Sequence, residues 1–375
     1  MLDPALRKDN IQRPKSEPLV THTHHDLSSE PKLPWYNPHS WSLRTKLLVG
    51  IFCIAAIIGV IVGAVEGSKT GRYPDYAPLR YRLVDTYGGE EFFDKFGFYS
   101  DEDPTGGFVR YVNKSTAFAQ NLTYATLHSS ILKVDATTPN TTVGRNSVRI
   151  ESQATYDDGL FVFDIVHTPY GCGTWPALWL TNRYNWPLNG EIDVLEATNN
   201  GTDGNAVTLH TTPGCSMDVL RKETGDTIYT TCDNSTNGNA GCGVKGPLST
   251  YGAEMNADGG GIYALEIRPS GIRAWFFQRD SIPPDLTNGS NTPDPSTWGT
   301  ALADFPNTSC DIPSHFRNQS IIANIDLCGD YAGRDEVYKD QFGCPGSCTE
   351  FVAKNPANFA QAYWEFGGFW VYAAV

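Results

Sequence analysis

Gly190-Glu-Ile-Asp-Val-Leu-Glu196 is a short apolar run that carries three carboxylates. Side chains alternate between the two faces of a strand, so Glu191 and Asp193 share a face, while Glu196, five residues from Glu191, falls on the other. A carboxylate turned into the apolar side has no purpose there. A single β-bulge between Asp193 and Glu196 would bring all three to one face, and bulges recur beside active sites. The run therefore reads as a strand with one extra residue, presenting an acidic row on the face of a sheet.

Segments on either side follow the same two-residue alternation. Ser147–Glu151, Gly159–Val166, Ala206–His210, Gly271–Phe277 and the terminal Phe369–Val375 all show it, with Gly, Asn, Asp and Pro between them. From about Leu83 onward there is neither long helical periodicity nor an internal repeat. Many short strands with turn-rich connections predict an all-β sandwich or barrel. Residues 213–260 and 280–320 are polar and cysteine-bearing, and are expected as loops pinned by disulfides.

Glycosidic cleavage uses two carboxyl groups flanking the scissile bond. On that chemistry Glu191 is assigned as nucleophile and Glu196 as general acid/base. Asp193, between them, couples to both and separates their pKa values. Retention through a covalent intermediate would require the two glutamates to stand about 5–5.5 Å apart. An exposed acidic strand edge is the reading that spacing alone leaves open.

Aromatic context favours the chemical reading. Gly173-Thr-Trp-Pro-Ala-Leu-Trp179 and Asn185-Trp-Pro-Leu-Asn-Gly190 supply Trp175, Trp179 and Trp186, flat surfaces on which pyranose C–H faces pack. Tryptophans also fill cores. Trp175 fits a structural place better, and Trp179 and Trp186 fit sugar subsites. Asn146 and Arg149, in Gly-Arg-Asn-Ser-Val-Arg-Ile, are further candidates for sugar hydroxyls, with a surface ion pair the alternative for Arg149. His210, in Thr-Leu-His-Thr, either contacts the nucleophile or a hydroxyl, or serves the fold. Gly259-Gly-Gly261 lacks the Lys-Ser/Thr of a phosphate loop, and Ser216 lacks a nucleophile elbow. No metal-ligand spacing stands out, and neither metal nor cofactor is assigned.

The N-terminal part has another character. Leu47–Val65, LLVGIFCIAAIIGVIVGAV, holds 19 residues without a charge. As a helix it just crosses the hydrocarbon core of a bilayer. A cleaved signal peptide would place its apolar region nearer the N-terminus. Lys32, Arg44 and Lys46 precede the run and Lys69, Arg72, Arg80 and Arg82 follow it, so flanking charge does not orient it. The eight Asn-x-Ser/Thr sites do better: Asn113, Asn121, Asn140, Asn200, Asn234, Asn288, Asn307 and Asn318 all follow the run. So do eight of the nine cysteines, with only Cys53 inside it. Up to four disulfides, in any of 105 full pairings, are expected in an oxidising compartment.

The resulting organisation is a disordered cytoplasmic tail over 1–46, a membrane-spanning signal anchor over 47–65, a stalk over 66–80 and a catalytic domain over 81–375. The chain would be a single-pass type II membrane protein of the plasma membrane or secretory pathway. His22, His24 and His25 belong to the solvated tail. Residues 1–46 hold seven Lys/Arg against five Asp/Glu, and the remainder 21 against 37. Such an acidic, aromatic-rich body without a basic stripe argues against nucleic acid and is compatible with a neutral ligand such as a sugar.

With Glu191-Ile-Asp-Val-Leu-Glu196 in place, the chain resembles glycoside hydrolase family 16, and within it the fungal laminarinase-like endo-1,3(4)-β-glucanases. The resemblance runs from about Tyr81 to the C-terminus. It is carried also by Ala119-Gln-Asn-Leu-Thr-Tyr124, Gly144-Arg-Asn-Ser-Val-Arg-Ile150, Gly171-Cys-Gly-Thr-Trp-Pro176, Thr208-Leu-His210, Trp275-Phe-Phe277, Phe305-Pro-Asn307 and Gly343-Cys-Pro-Gly-Ser-Cys348. It implies a concanavalin-like β-jelly-roll sandwich of two curved antiparallel sheets, with a long cleft for a β-glucan polysaccharide. Glu191, Asp193 and Glu196 then match the nucleophile, the assisting aspartate and the acid/base. Trp179 and Trp186 match glucan-stacking residues, and Tyr331 stands where relatives carry Trp. No calcium ligand set is assigned, and a monomer is expected. A cell-wall transglycosylase and a non-catalytic glucan-binding protein are the rival readings.

Overall fold

The computed structural model of the chain describes residues 38–70, 73–287 and 292–375. His22, His24, His25, the Asn288 sequon and nearly all of the tail expected to be disordered lie outside them. The chain divides into two units between Gly63 and Ala64. The 47–65 run lies within one helix, Leu43–Thr70, of 28 residues, which begins in the first unit and is about 42 Å long at 1.5 Å per residue. Ile51, Phe52, Ile54, Ile58 and Val60 are exposed and point around its whole circumference. A helix apolar on every face suits a membrane anchor or a signal sequence.

The second unit is a sandwich of two eight-stranded sheets. The cleft sheet runs Asp226–Thr227, Cys242–Lys245, Ala206–His210, Glu191–Glu196, Thr174–Thr181, Ser320–Leu327, Arg149–Ser152, Phe96–Phe98. The outer sheet runs Ala303–Pro306, Gly271–Gln278, Gly261–Arg268, Gly159–His167, Tyr363–Ala374, Ser130–Lys133, Thr123–Ala125, and Tyr81–Tyr87 pairs with its long Tyr363–Ala374 strand. Neighbours in both sheets are antiparallel; a parallel pair of strands, Val109–Tyr111 with Arg145–Ser147, lies outside them. The jelly-roll-like sandwich read from the sequence is present.

Alternation explains the layers. In Thr174–Thr181, Leu178 and Leu180 are buried in the core while Trp175 and Trp179 are half-exposed on the other face. Phe161, Phe163, Ile192, Leu209, Ile325, Trp364 and Phe369 complete the filling between the sheets. Each such side chain contributes about 1.5–3 kcal/mol through removal from water. A second apolar cluster, with Leu160, Val162, Trp275 and Trp298, covers part of the other face of the outer sheet.

Three sequence readings need correction. Residues 213–260 hold the strands Asp226–Thr227 and Cys242–Lys245 and the helix Gly252–Ala257, and 280–320 holds the strand Ala303–Pro306. These strands are two to four residues long, too short for alternation to register, and Ala303–Pro306 is buried throughout, so it shows none. Ser147–Glu151 splits into Arg145–Ser147 and Arg149–Ser152. The eight cysteines beyond the helix form four disulfides, Cys172–Cys344, Cys215–Cys310, Cys232–Cys242 and Cys328–Cys348, leaving Cys53 free.

Two residues of the expected 66–80 stalk are tied to the sandwich. The Tyr73 and Tyr76 hydroxyls donate to the two oxygens of buried Asp304, at 2.9 and 3.0 Å. The Tyr76 ring lies under the Arg273 guanidinium, 4.2 Å from its centroid. Burial and the Asp304 charge both push the two phenols upward, so they remain donors throughout the ordinary pH range.

Candidate active site

The acidic row forms as the parity argument requires. Glu191 lies opposite Thr181 and His210, and Asp193 opposite Trp179 and Thr208. The register then shifts against both neighbouring strands, so that Glu196 comes opposite Ala177 and Ala206. Thr181, Trp179 and Ala177 alternate along one strand, so the three carboxylates share the cleft face. The extra residue leaves Val194 and Leu195 both fully buried.

A bulge frees backbone groups from the ladder, and buried ones need other partners. Asn205 supplies them. Its Oδ1 accepts from the Glu196 N–H at 2.8 Å and its Nδ2 donates to the Val194 carbonyl at 2.9 Å, with the side chain wholly buried. Its own N–H donates to Thr250 Oγ1 at 2.9 Å. The sequence reading missed Asn205; a polar residue just before the apolar Ala206–His210 strand was the available signal.

Charge differentiates the row. Burial pushes Glu196 above the ordinary carboxylate range against the pull of a 2.7 Å hydrogen bond from Trp175 Nε1. Burial and the Glu191 charge push Asp193 upward, and the His210 hydrogen bond pulls it back. His210 Nε2 stands 3.3 Å from Asp193 Oδ2. Burial of that ring opposes its charge, yet the Asp193 hydrogen bond and the charges of Glu191, Asp193 and Glu196 push it up to about 10. Glu191, Asp193 and His210 bring ligand-type atoms within 4.8 Å of one another. The three side chains are close enough for a proton to be shared among them.

The aromatic candidates divide by partner. Trp186 is exposed and donates from Nε1 to Glu191 Oε2 at 2.5 Å. Trp179 donates to Asn324 Oδ1 at 2.8 Å, and Asn324 in turn accepts Trp179 while donating to Tyr111 Oη at 3.1 Å. Tyr331 meets Trp175 edge-on with ring centroids 5.6 Å apart. Trp175 holds Glu196 directly through its indole N–H. Arg149 is buried between the Tyr99 and Trp179 rings, 4.6 and 4.9 Å from their centroids, and its ion pair with Glu151 is correspondingly enclosed. Asn146 is placed elsewhere: it donates to Gln120 Oε1 at 2.8 Å and lines a hollow with Glu102 and Tyr111 that none of the three carboxylates lines. Tyr99, Tyr111, Glu151, Arg183 and Asn324 were absent from the sequence reading.

Trp175→Phe removes the one hydrogen bond that lowers the Glu196 pKa. With Glu196 as the expected general acid, which works only when protonated, the alkaline limb of kcat/KM moves to higher pH. Loss of orientation lowers kcat by roughly 3–10-fold. A pH–rate profile checks both, and a limb that stays in place or moves to lower pH refutes the assignment.

Comparison with known proteins follows from this geometry. The family described as "XgeA-like, catalytic GH16 domain" matches residues 96–372. The chain belongs to glycoside hydrolase family 16. Within it, a probable glycosidase of Schizosaccharomyces pombe is 45% identical over 305 residues, covering 80% of this chain and 71% of that one. The laminarinase 16A of Phanerochaete chrysosporium, solved with 6-O-glucosyl-laminaritriose in donor and acceptor sites, is 45% identical with a TM-score of 0.76, covering 78% of this chain and all of that one. An elongating family 16 β-1,3-glucosyltransferase is 37% identical with a TM-score of 0.73 over the same 78% of this chain and all of that one. The chain spans only 40% to 50% of the length of the Aspergillus probable endo-1,3(4)-β-glucanases that it also matches.

Proposed function

We infer that the chain is a retaining endo-β-1,3(4)-glucanase that hydrolyses laminarin-like glucans. The bulged row carries this reading: two glutamates on one face of a sheet with an aspartate between them, the second pushed above the ordinary carboxylate range by burial. Glu191 attacks the anomeric carbon, and the bond to the leaving oxygen breaks as Glu196 gives that oxygen its proton. Glu196, now a carboxylate, takes a proton from water, which attacks the same carbon and releases Glu191. Two displacements restore the β configuration. Asp193 and the His210 cation keep the row from accumulating charge as the proton moves. Trp179, Trp186 and Tyr331 offer rings to successive glucosyl units, and Arg149 offers donors to their hydroxyls.

Residues 47–65 would insert in a bilayer as a type II anchor, with 1–46 cytoplasmic, 66–80 linking, and the catalytic unit outside the cell or in the secretory lumen as a monomer. Four disulfides and sequons confined to the C-terminal side of the helix support that side as the oxidised one.

Time-resolved product analysis on laminarin tests the activity. New reducing ends, first formed as the β anomer, are the expected result. Longer glucans without a matching rise in reducing ends would replace hydrolysis by transglycosylation, and binding without turnover would replace both by a lectin-like role.

A further inference from the structure

Resting on the glucanase reading, we propose that Asn239 is a positioning residue: it holds His210, and through it Asp193, in the arrangement the carboxylate row needs. Asn239 lies on the loop closed by Cys232–Cys242, a separation of only ten residues. That loop is fastened to the end of the Ala206–His210 strand, where the Thr211 N–H donates to the Cys232 carbonyl at 2.8 Å and the Asn234 N–H to the Thr211 carbonyl at 2.9 Å. Gly241 brings the loop backbone directly onto His210. It sits at φ +64, and a Cβ there would stand 2.9 Å from His210 Cε1 and 2.6 Å from the Leu209 carbonyl oxygen. Asn239 itself sits at φ +63, a left-handed conformation that asparagine accepts more readily than most residues.

The side chain so placed puts Asn239 Oδ1 3.0 Å from His210 Nδ1, while His210 Nε2 faces Asp193 at 3.3 Å. A neutral imidazole has one N–H to give, and two acceptors at its two nitrogens call for the imidazolium. With its oxygen toward Nδ1, Asn239 favours the charged ring together with the Asp193 carboxylate and holds the plane of the imidazole. The charged groups facing that ring are Asp193, Glu191 and Glu196 of the neighbouring strand. Asp233 of the loop is turned to Ser235, whose N–H and hydroxyl it accepts at 2.9 and 2.8 Å. Lys245, on the strand beyond, is paired with Asp203 at 2.8 Å.

Two substitutions at this exposed position pull in opposite directions. Asn239→Ala removes the acceptor and lets water replace it in part, so the His210 titration moves down by about 0.5–1 pH unit. Asn239→Asp supplies a charged acceptor and moves it up by a similar amount. Both are read by imidazole 15N NMR on the whole chain without substrate. Kinetically, Asn239→Ala lowers kcat by roughly 3–10-fold with KM nearly unchanged, and Asn239→Asp restores part of it. A His210 titration that ignores both variants, or a rise in KM with kcat untouched, overturns the proposal; the second result would make Asn239 a sugar contact. Because the NMR experiment needs no turnover, an inactive wild type would sink the glucanase reading while the His210 contact is still judged by its own shifts.

Discussion

Glu191→Gln lowers kcat on laminarin by at least about 10⁴-fold, with glucan binding and melting temperature close to those of the unsubstituted chain. The substitution keeps the shape of the side chain and an oxygen for the Trp186 N–H, which Glu191 now accepts at 2.5 Å. What it removes is the carboxylate that the proposed mechanism needs to form, and later leave, a bond to the anomeric carbon. Neighbouring Asp193 cannot substitute, being enclosed and engaged with His210. A smaller variant sharpens the test. Glu191→Gly with azide should give a glycosyl azide of inverted configuration, the small anion entering where the carboxylate stood. Glu196→Ala with azide should give the retained β-azide, since the covalent intermediate still forms and only its second half is rescued. Swapped stereochemistry would exchange the two roles, and full activity in Glu191→Gln would remove the row from the mechanism.

Asn205→Ala destabilises the unit by about 2–6 kcal/mol and takes most of the activity with it. The estimate rests on two backbone groups, the Glu196 N–H and the Val194 carbonyl, which lose their partner within a buried bulge, at about 1–3 kcal/mol each. Calorimetry should register a fall of roughly 3–9 °C in Tm. Activity falls further than stability alone requires, because relaxing the bulge moves Glu196 along with its backbone. A displacement on the scale of 1 Å costs about 10²-fold in rate. Asn205→Asp keeps an acceptor for Glu196 and loses the donor to Val194, so it should fall between the two. An unchanged Tm together with normal kcat would show that the bulge needs no clamp.

The part of this site legible in the sequence was the part written in local periodicity. Glu191, Asp193 and Glu196 lie within six residues, and their parity conflict with an apolar strand called for a bulge, which the register displays. The strand Ala206–His210 was legible in full for the same reason. The supporting residues were not, because each works across a long stretch of chain. Asn324 meets Trp179 from 145 residues away and Tyr111 from 213. The choice between a sugar contact and a surface ion pair stayed open for Arg149 because its enclosure comes from Tyr99, fifty positions earlier, and Trp179, thirty later, joined only by the fold. The Cys172–Cys344 pairing, 172 residues apart, is beyond spacing arguments altogether.

The clasp of Tyr73 and Tyr76 on Asp304 has a bearing on proteolytic trimming. A cut on the helix side of Tyr73 leaves the buried carboxylate with both of its phenolic donors. A cut just past Tyr76 removes both and bares one flank of the outer sheet, although the strand that begins at Tyr81 is still intact. A protease working along this segment would therefore leave either a durable sandwich or a short-lived one, and fewer than ten residues separate the two outcomes.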